Sequence, residues 1–153
     1  MDLAAAHDLA ASLMEEYGLD WDFGWDHARR RAGQTNYTHR KITLSKPLTL
    51  LCTDEQVRET ILHEIAHALV GPGHGHGPVW KQMARRVGAQ PRRLAAPDFP
   101  QAQAPWQAIC SAGHRHDRFR RPKNLVSCGR CSSRYSDKHL LTWVRSDTTQ
   151  KSA

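Results

Sequence analysis

One segment constrains this chain more than any other: a strongly apolar helix that carries two histidines and a glutamate. Thr53 and Gln56 fit a capping box, and Asp54 and Glu55 suit the positive end of the helix dipole. Val57, Ile61, Ile65 and Leu69 then form an apolar stripe that Leu62 and Ala66 widen, so the spacing predicts a largely buried helix over 53–70. Within it, His63, Glu64 and His67 spell H-E-x-x-H. Residues four apart lie on one face of a helix, so both imidazoles can reach a single zinc ion. Glu64 is placed beside them to polarise a water and take its proton.

A catalytic zinc needs a third protein ligand and an open fourth position. The H-E-x-x-H-x-x-G-x-x-H pattern fails, because Val70 and Gly73 stand where it needs Gly and His. No glutamate follows Glu64, which excludes one from a later helix. His74 and His76 remain, with Asp98 a distant third. Both histidines lie in 71–77, a stretch with four glycines and a proline that must be a loop.

The flanking elements follow from periodicity. Leu3, Ala6, Leu9, Ala10, Leu13, Met14 and Tyr17 predict a helix over 2–17 closed by Gly18. Trp21, Phe23 and Trp25 alternate with Asp22, Gly24 and Asp26, which predicts a half-buried strand. A turn at Gly33–Asn36 and a strand over Thr38–Leu44 are expected next, giving two or three antiparallel strands. Residues around Ile42–Leu44 are the expected edge strand for an extended substrate. Pro78 opens a last helix with Val79, Trp80, Met83, Ala84 and Val87 facing inward, ended by Gly88. Cys52, after the apolar Leu48–Leu51, reads as a small buried hydrophobe, and Trp21, Trp25 and Trp80 as core.

Four prolines in 91–105 mark a linker, so the expected organisation is a domain at 1–92, a Pro-rich linker at 93–105, a small module at 106–145 and a polar tail at 146–153. The module holds the second metal pattern. Cys128 and Cys131 form a C-x-x-C knuckle, preceded by Cys110 and His114 at C-x-x-x-H spacing, with His116 a rival to His114. Two ligand pairs joined by a short arm are the plan of a zinc ribbon, and so short a segment needs the metal to fold.

Charge divides the chain the same way. Residues 1–92 hold 11 Lys+Arg and 11 Asp+Glu, whereas 93–153 hold 11 and 4, so the net +7 lies entirely in the second part. A basic end points to a polyanion such as nucleic acid. Arg115, Arg118, Phe119, Arg120, Arg121, Lys123, Arg130 and Arg134 are the candidate contacts, the cations for phosphates and Phe119 (or Tyr135) for stacking on an unpaired base. No apolar run approaches the roughly 18 residues that span a bilayer, and the first residues carry acids without a basic group, so neither a membrane protein nor a secreted one is expected.

The run His63-Glu64-Ile65-Ala66-His67-Ala68-Leu69, then Gly75-His76-Gly77-Pro78 with an aromatic two residues on, resembles the SprT-like metalloproteases. The upstream run from Arg31-Ala32-Gly33 through Ile42-Thr43-Leu44-Ser45 also resembles that family's strands before the active-site helix. Its Spartan-type members degrade proteins covalently trapped on DNA. The resemblance implies an α+β zincin-like domain with a small antiparallel sheet, followed by a zinc ribbon. By position it makes His63, His67 and His76 the ligands of a catalytic Zn2+ and Glu64 the base. Cys110, His114, Cys128 and Cys131 would hold a structural Zn2+, with histidine at 114 where the family usually has cysteine. The implied partners are DNA, single-stranded or distorted, and proteins attached to it, in the cytoplasm: at the nucleoid in a bacterium, or in the host for a phage. Two rivals are a DNA-binding zinc protein without proteolysis and a metalloprotease of one specific soluble protein.

Overall fold

The computed structural model describes residues 1–93 and 97–146; the linker residues 94–96 and the tail from 147 lie outside the described residues. The chain divides into two compact units, Met1–Ala102 and Gln103–Ala153, and the division falls inside the proline-rich stretch. No helix among the described residues is long and apolar enough to cross a membrane.

The first unit opens with α1 (Leu3–Glu16), whose N-cap Asp2 accepts a hydrogen bond from the Ala5 N–H. Ala6, Ala10, Leu13 and Met14 are its buried residues, as the helical spacing requires. Gly18 ends it at φ 63°, a left-handed conformation that favours glycine. Strand β1 (Asp22–Asp26) follows, then β2 (Gly33–Asn36) and β3 (Lys41–Ser45). The order in the sheet is β1-β3-β2, with β1 parallel and β2 antiparallel to β3.

Three strand expectations are corrected here. Gly33–Asn36 is a strand, not a turn, and the reversal comes at 37–40, where Arg40 takes φ 46°. Gly and Asn signal a turn only until pairing with β3 outweighs them, and Thr35 also bonds to the helix behind the strand. The sheet is mixed rather than wholly antiparallel, because β3 inserts between the two earlier strands. For the same reason Ile42–Leu44 is central and paired on both sides, so it offers no free edge; β1 and β2 are the edges.

Ser45 and Pro47 then start a short helix that periodicity did not reveal, α2 (Lys46–Thr49), with Ser45 Oγ accepting from the Leu48 N–H at 3.2 Å. Helix α3 (Asp54–Val70) carries the capping box between Thr53 and Gln56 in full. Helix α4 (Pro78–Arg86) has proline in its first turn and is followed by Gly88 at φ 83°. The core packs α1, β3, α3 and α4, with Ile42, Ile61, Ile65, Trp80 and Ala84 fully excluded from solvent. Val79 departs from expectation: it is 49% exposed, because only Trp80, Met83, Ala84 and Val87 turn toward α3.

The second unit is a three-stranded antiparallel sheet ordered β5-β4-β6, from β4 (Trp106–Ile109), β5 (Arg115–Arg118) and β6 (Val144–Arg145), with a short 3-10 turn at Asp137–His139. Its buried core is small: Ala108, Cys110, Cys128 and Leu141.

Candidate metal centres

The first centre grows from α3. His63 and His67 project one turn apart, and the 71–77 loop brings His76 onto them. The loop reverses at Gly71, Gly73 and Gly75, all at positive φ, and closes with the Gly77 N–H on the His74 carbonyl at 3.0 Å. His76 Nε2 lies 3.1 Å from His67 Nε2 and 3.0 Å from His63 Nε2. Zinc–nitrogen bonds of about 2.0–2.1 Å at tetrahedral angles space ligand nitrogens about 3.3 Å apart, so the three fit a common ion. His74 is exposed in the same loop and is not part of the group; nor is Asp98.

Electrostatics suit the three imidazoles to a metal. Burial, then the neighbouring imidazoles, push His63 down to about 3. Burial and His76 push His67 down to about 4, and burial with Arg93 lowers His76. All three therefore keep a nitrogen lone pair at neutral pH, which is the ligand form. The fully buried indole of Trp80 forms the floor, with its centroid 4.7 Å from His63, 5.1 Å from His67 and 4.6 Å from His76.

Glu64 is buried on the other side, between α3 and β2. Thr35 Oγ1 donates to its Oε2 at 2.7 Å. Burial raises the carboxyl to about 7, against the lowering pull of the Thr35 hydrogen bond and the Arg31 charge. Tyr37, one residue beyond β2, donates from its hydroxyl to the His67 carbonyl at 3.1 Å. Burial, and then the charge of Glu64, raise that phenol above its usual range.

The second centre is closed. His114 Nδ1 lies 3.4 Å from Cys110 Sγ, 3.6 Å from Cys128 Sγ and 3.3 Å from Cys131 Sγ, and Cys110 and Cys131 are 3.6 Å apart. Bonds of about 2.3 Å to sulfur and 2.0 Å to nitrogen require such spacings. His114, not His116, joins the group; His116 Nε2 sits outside it, 3.1 Å from Cys128 Sγ. Burial opposes a thiolate at Cys110, but hydrogen bonds from the His114 and Ala112 backbone outweigh it and lower the group.

The nucleic-acid candidates separate. Arg115 pairs with Asp117 on its own strand at 3.2 Å, and Arg121 lies over the Trp106 ring at 5.4 Å. Arg118, Arg120, Lys123, Arg130 and Arg134 are exposed. Phe119 is half-buried, while Tyr135 is 56% exposed.

Residues 6–101 match the SprT-like family, and the match encloses both β2 and the histidine triad. The chain belongs to the SprT-like family. Among solved structures it is similar to the metallopeptidase zymogen of Methanocaldococcus jannaschii jannalysin, at 14% identity and TM-score 0.47 over 53% of this chain and 79% of that one. In this SprT-like chain, Thr35 and Tyr37, which the sequence does not single out, border the first centre together with Gly33 and Trp80, which lie in the stretches that carry the family resemblance. Thr35 lies on β2 and Tyr37 just past its end, two residues apart, a relation that a turn at 33–36 does not suggest. Trp80 is core, as expected, and also lines the first centre.

Proposed function

We propose that this protein is a zinc-dependent endopeptidase that cuts proteins attached to or crosslinked with DNA, brought to them by its basic C-terminal unit. One observation carries the hydrolytic part: a buried glutamate, held by a neighbouring strand, directly follows on α3 the first of three converging neutral imidazoles in a SprT-like chain. A purely structural metal has no use for Glu64. His63, His67 and His76 would hold the ion. A metal bound there supplies Lewis acidity to the attacking water and to the scissile carbonyl. Glu64 accepts a proton as the water oxygen bonds to the peptide carbon. It returns that proton to the nitrogen as the C–N bond breaks, and so ends as it began. With its proton affinity raised toward neutrality, Glu64 suits both directions of transfer. The free edge of β2, next to Glu64, is the strand along which an extended substrate would pair.

Support for DNA is the segregated charge and the exposed cations of the second unit, with Tyr135 the aromatic open to a base. Cys110, His114, Cys128 and Cys131 would hold a second zinc that folds this unit. Tethering to DNA raises the effective concentration of attached protein without a selective pocket. A cytoplasmic site of action accords with this partner.

The test is cleavage of a protein crosslinked to single-stranded DNA, against the same protein free of DNA, with wild type and Glu64→Gln. Cleavage by wild type alone, chiefly of the DNA-attached protein and falling steeply with salt, is expected. Equal cutting of both substrates at every salt concentration would remove the DNA part. Absence of cutting with intact DNA binding would remove the hydrolytic part.

A further inference from the structure

Glu64 sits in a cradle made by alternate residues of one strand. Gly33 and Thr35 are two apart on β2 and so present the same face, the one that meets α3. Thr35 Oγ1 has two acceptors within reach, the Glu64 carbonyl at 3.0 Å and Glu64 Oε2 at 2.7 Å. A hydroxyl carries a single proton, and the shorter, charge-assisted contact to Oε2 takes it. Oε1 has no hydrogen-bond partner among the described residues.

Gly33 makes room for that pose. A Cβ there would come 2.8 Å from Glu64 Cγ, 3.0 Å from Oε1 and 3.1 Å from Thr60 Cγ2. Gly33 is not among the glycines at positive φ, so space and not backbone conformation demands glycine. The strand itself is held rigidly. It pairs with β3 over its whole length, and the loop before it is fastened by Asp26, which accepts from the Ala28 N–H, Arg31 Nη1 and Thr43 Oγ1, each at 2.8 Å. The Ser45 N–H on the Ala32 carbonyl, at 2.8 Å, secures the residue just before Gly33.

We propose that Thr35 is the positioning residue for Glu64: it anchors Oε2 and leaves Oε1 as the proton-accepting oxygen, while Gly33 provides the space in which that orientation fits. The inference rests on the peptidase reading for its kinetic consequence but not for its geometry. A free glutamate side chain can rotate its carboxylate out of line, and loss of alignment by about 1 Å costs on the order of a hundredfold in rate. Both anchors come from a sheet, which holds a group more accurately than a loop does.

The experiment uses the full chain loaded with zinc, as wild type, Thr35→Val, Thr35→Ser and Gly33→Ala. Three quantities are measured: kcat and KM on a DNA-attached protein, the Kd for acetohydroxamic acid, and zinc content. Acetohydroxamic acid is a zinc chelator whose proton passes to an adjacent base, so its affinity reports Glu64 without turnover. Thr35→Val should lower kcat by about tenfold or more with KM within about twofold, and weaken acetohydroxamic acid by about fivefold, at unchanged zinc content. Thr35→Ser, which keeps the hydroxyl, should recover both to within about threefold. Gly33→Ala should behave as Thr35→Val does. Wild-type values for Thr35→Val, or an equal fall in Thr35→Ser, would overturn the assignment. If Thr35→Val fails to fold, Gly33→Ala and Thr35→Ser decide it: wild-type kinetics and inhibitor affinity in Gly33→Ala would count against the cradle. Should wild type cut nothing, the peptidase reading fails, and the acetohydroxamic acid series still decides whether Thr35 orients Glu64.

Discussion

The two units of this protein hold their candidate metal groups in opposite ways. In the first, α3 and α4 pack on α1 and β3 through a core of aliphatic residues and Trp80, and the three histidines stand at the margin of that core. In the second, two of the four buried core residues are themselves cysteines of the metal group. The first unit builds its site on a fold that apolar burial can sustain. In the second, binding of the proposed zinc and folding would be one event. The contrast matches chemistry: a catalytic centre needs an open position and a nearby base, whereas a structural centre is closed by four protein ligands.

The sharpest way to break this comparison is to remove metal. Chelation, or Cys128→Ser, should abolish amide protection over 106–146 while α3 and β3 stay protected, because structural zinc contributes about 10–16 kcal/mol to such small modules. Hydrogen exchange read unit by unit checks it. Simultaneous loss in both units, or in neither, would contradict the division drawn here.

Trp80→Ala comes next. Removing a fully buried indole should cost about 3–5 kcal/mol of first-unit stability and, by loosening the floor under the imidazoles, about tenfold or more in metal affinity. Thermal unfolding and a competitive zinc titration measure the two separately. Unchanged metal affinity would show that the floor is core and nothing more.

A pH series on the metal-free protein sharpens the electrostatic side. His63 and His67 are depressed in the folded state to about 3 and about 4, so their contribution is present above about pH 6.5, the unfolded value, and is lost as pH falls toward those folded values. Glu64 works in the other direction. Its folded value is raised from 4.5 to about 7, so it favours the folded state at low pH, and that contribution is lost as pH rises between the two. Between about pH 4.5 and 6.5 the groups oppose each other. Glu64→Gln should therefore stabilise the metal-free protein above pH 7, and should steepen its loss of stability on acidification. Denaturant midpoints across pH would show this, and parallel curves for the two proteins would refute it.

The smallest effect is on DNA. Lys123→Ala or Arg130→Ala should each reduce the dependence of log affinity on log salt by about one. Arg115→Ala should change it less, because Asp117 already pairs with that guanidinium. An equal change for all three would mean that the ion pair opens on binding.

Much of the fold is legible in local sequence signals. The capping box of α3, the glycine that ends α1 and the proline that opens α4 act within a turn or two of chain, and local signals of that kind survive in the structure. The strands fared worse. Gly33–Asn36 has turn residues and a strand conformation, because pairing partners supply what propensity lacks. Pairing of Gly33–Asn36 with β3 is also what puts Thr35 against α3 and makes β2, not β3, an edge.

The sequence by itself determined which donors exist and which pairs must meet. His63 with His67, Cys110 with His114 and Cys128 with Cys131 are joined by at most four residues, and helix or knuckle geometry leaves them little choice. Spacing alone left His74 and His116 open; as the family resemblance implies, the tertiary structure brings His76 onto His63 and His67, and groups His114 with the three cysteines. It also decided that Trp80 is the floor and that Gly33 and Thr35 hold Glu64. Each of those choices depends on a strand or loop folding back against a distant helix. Which face such a segment presents is set by packing and pairing, and residue types alone do not encode it.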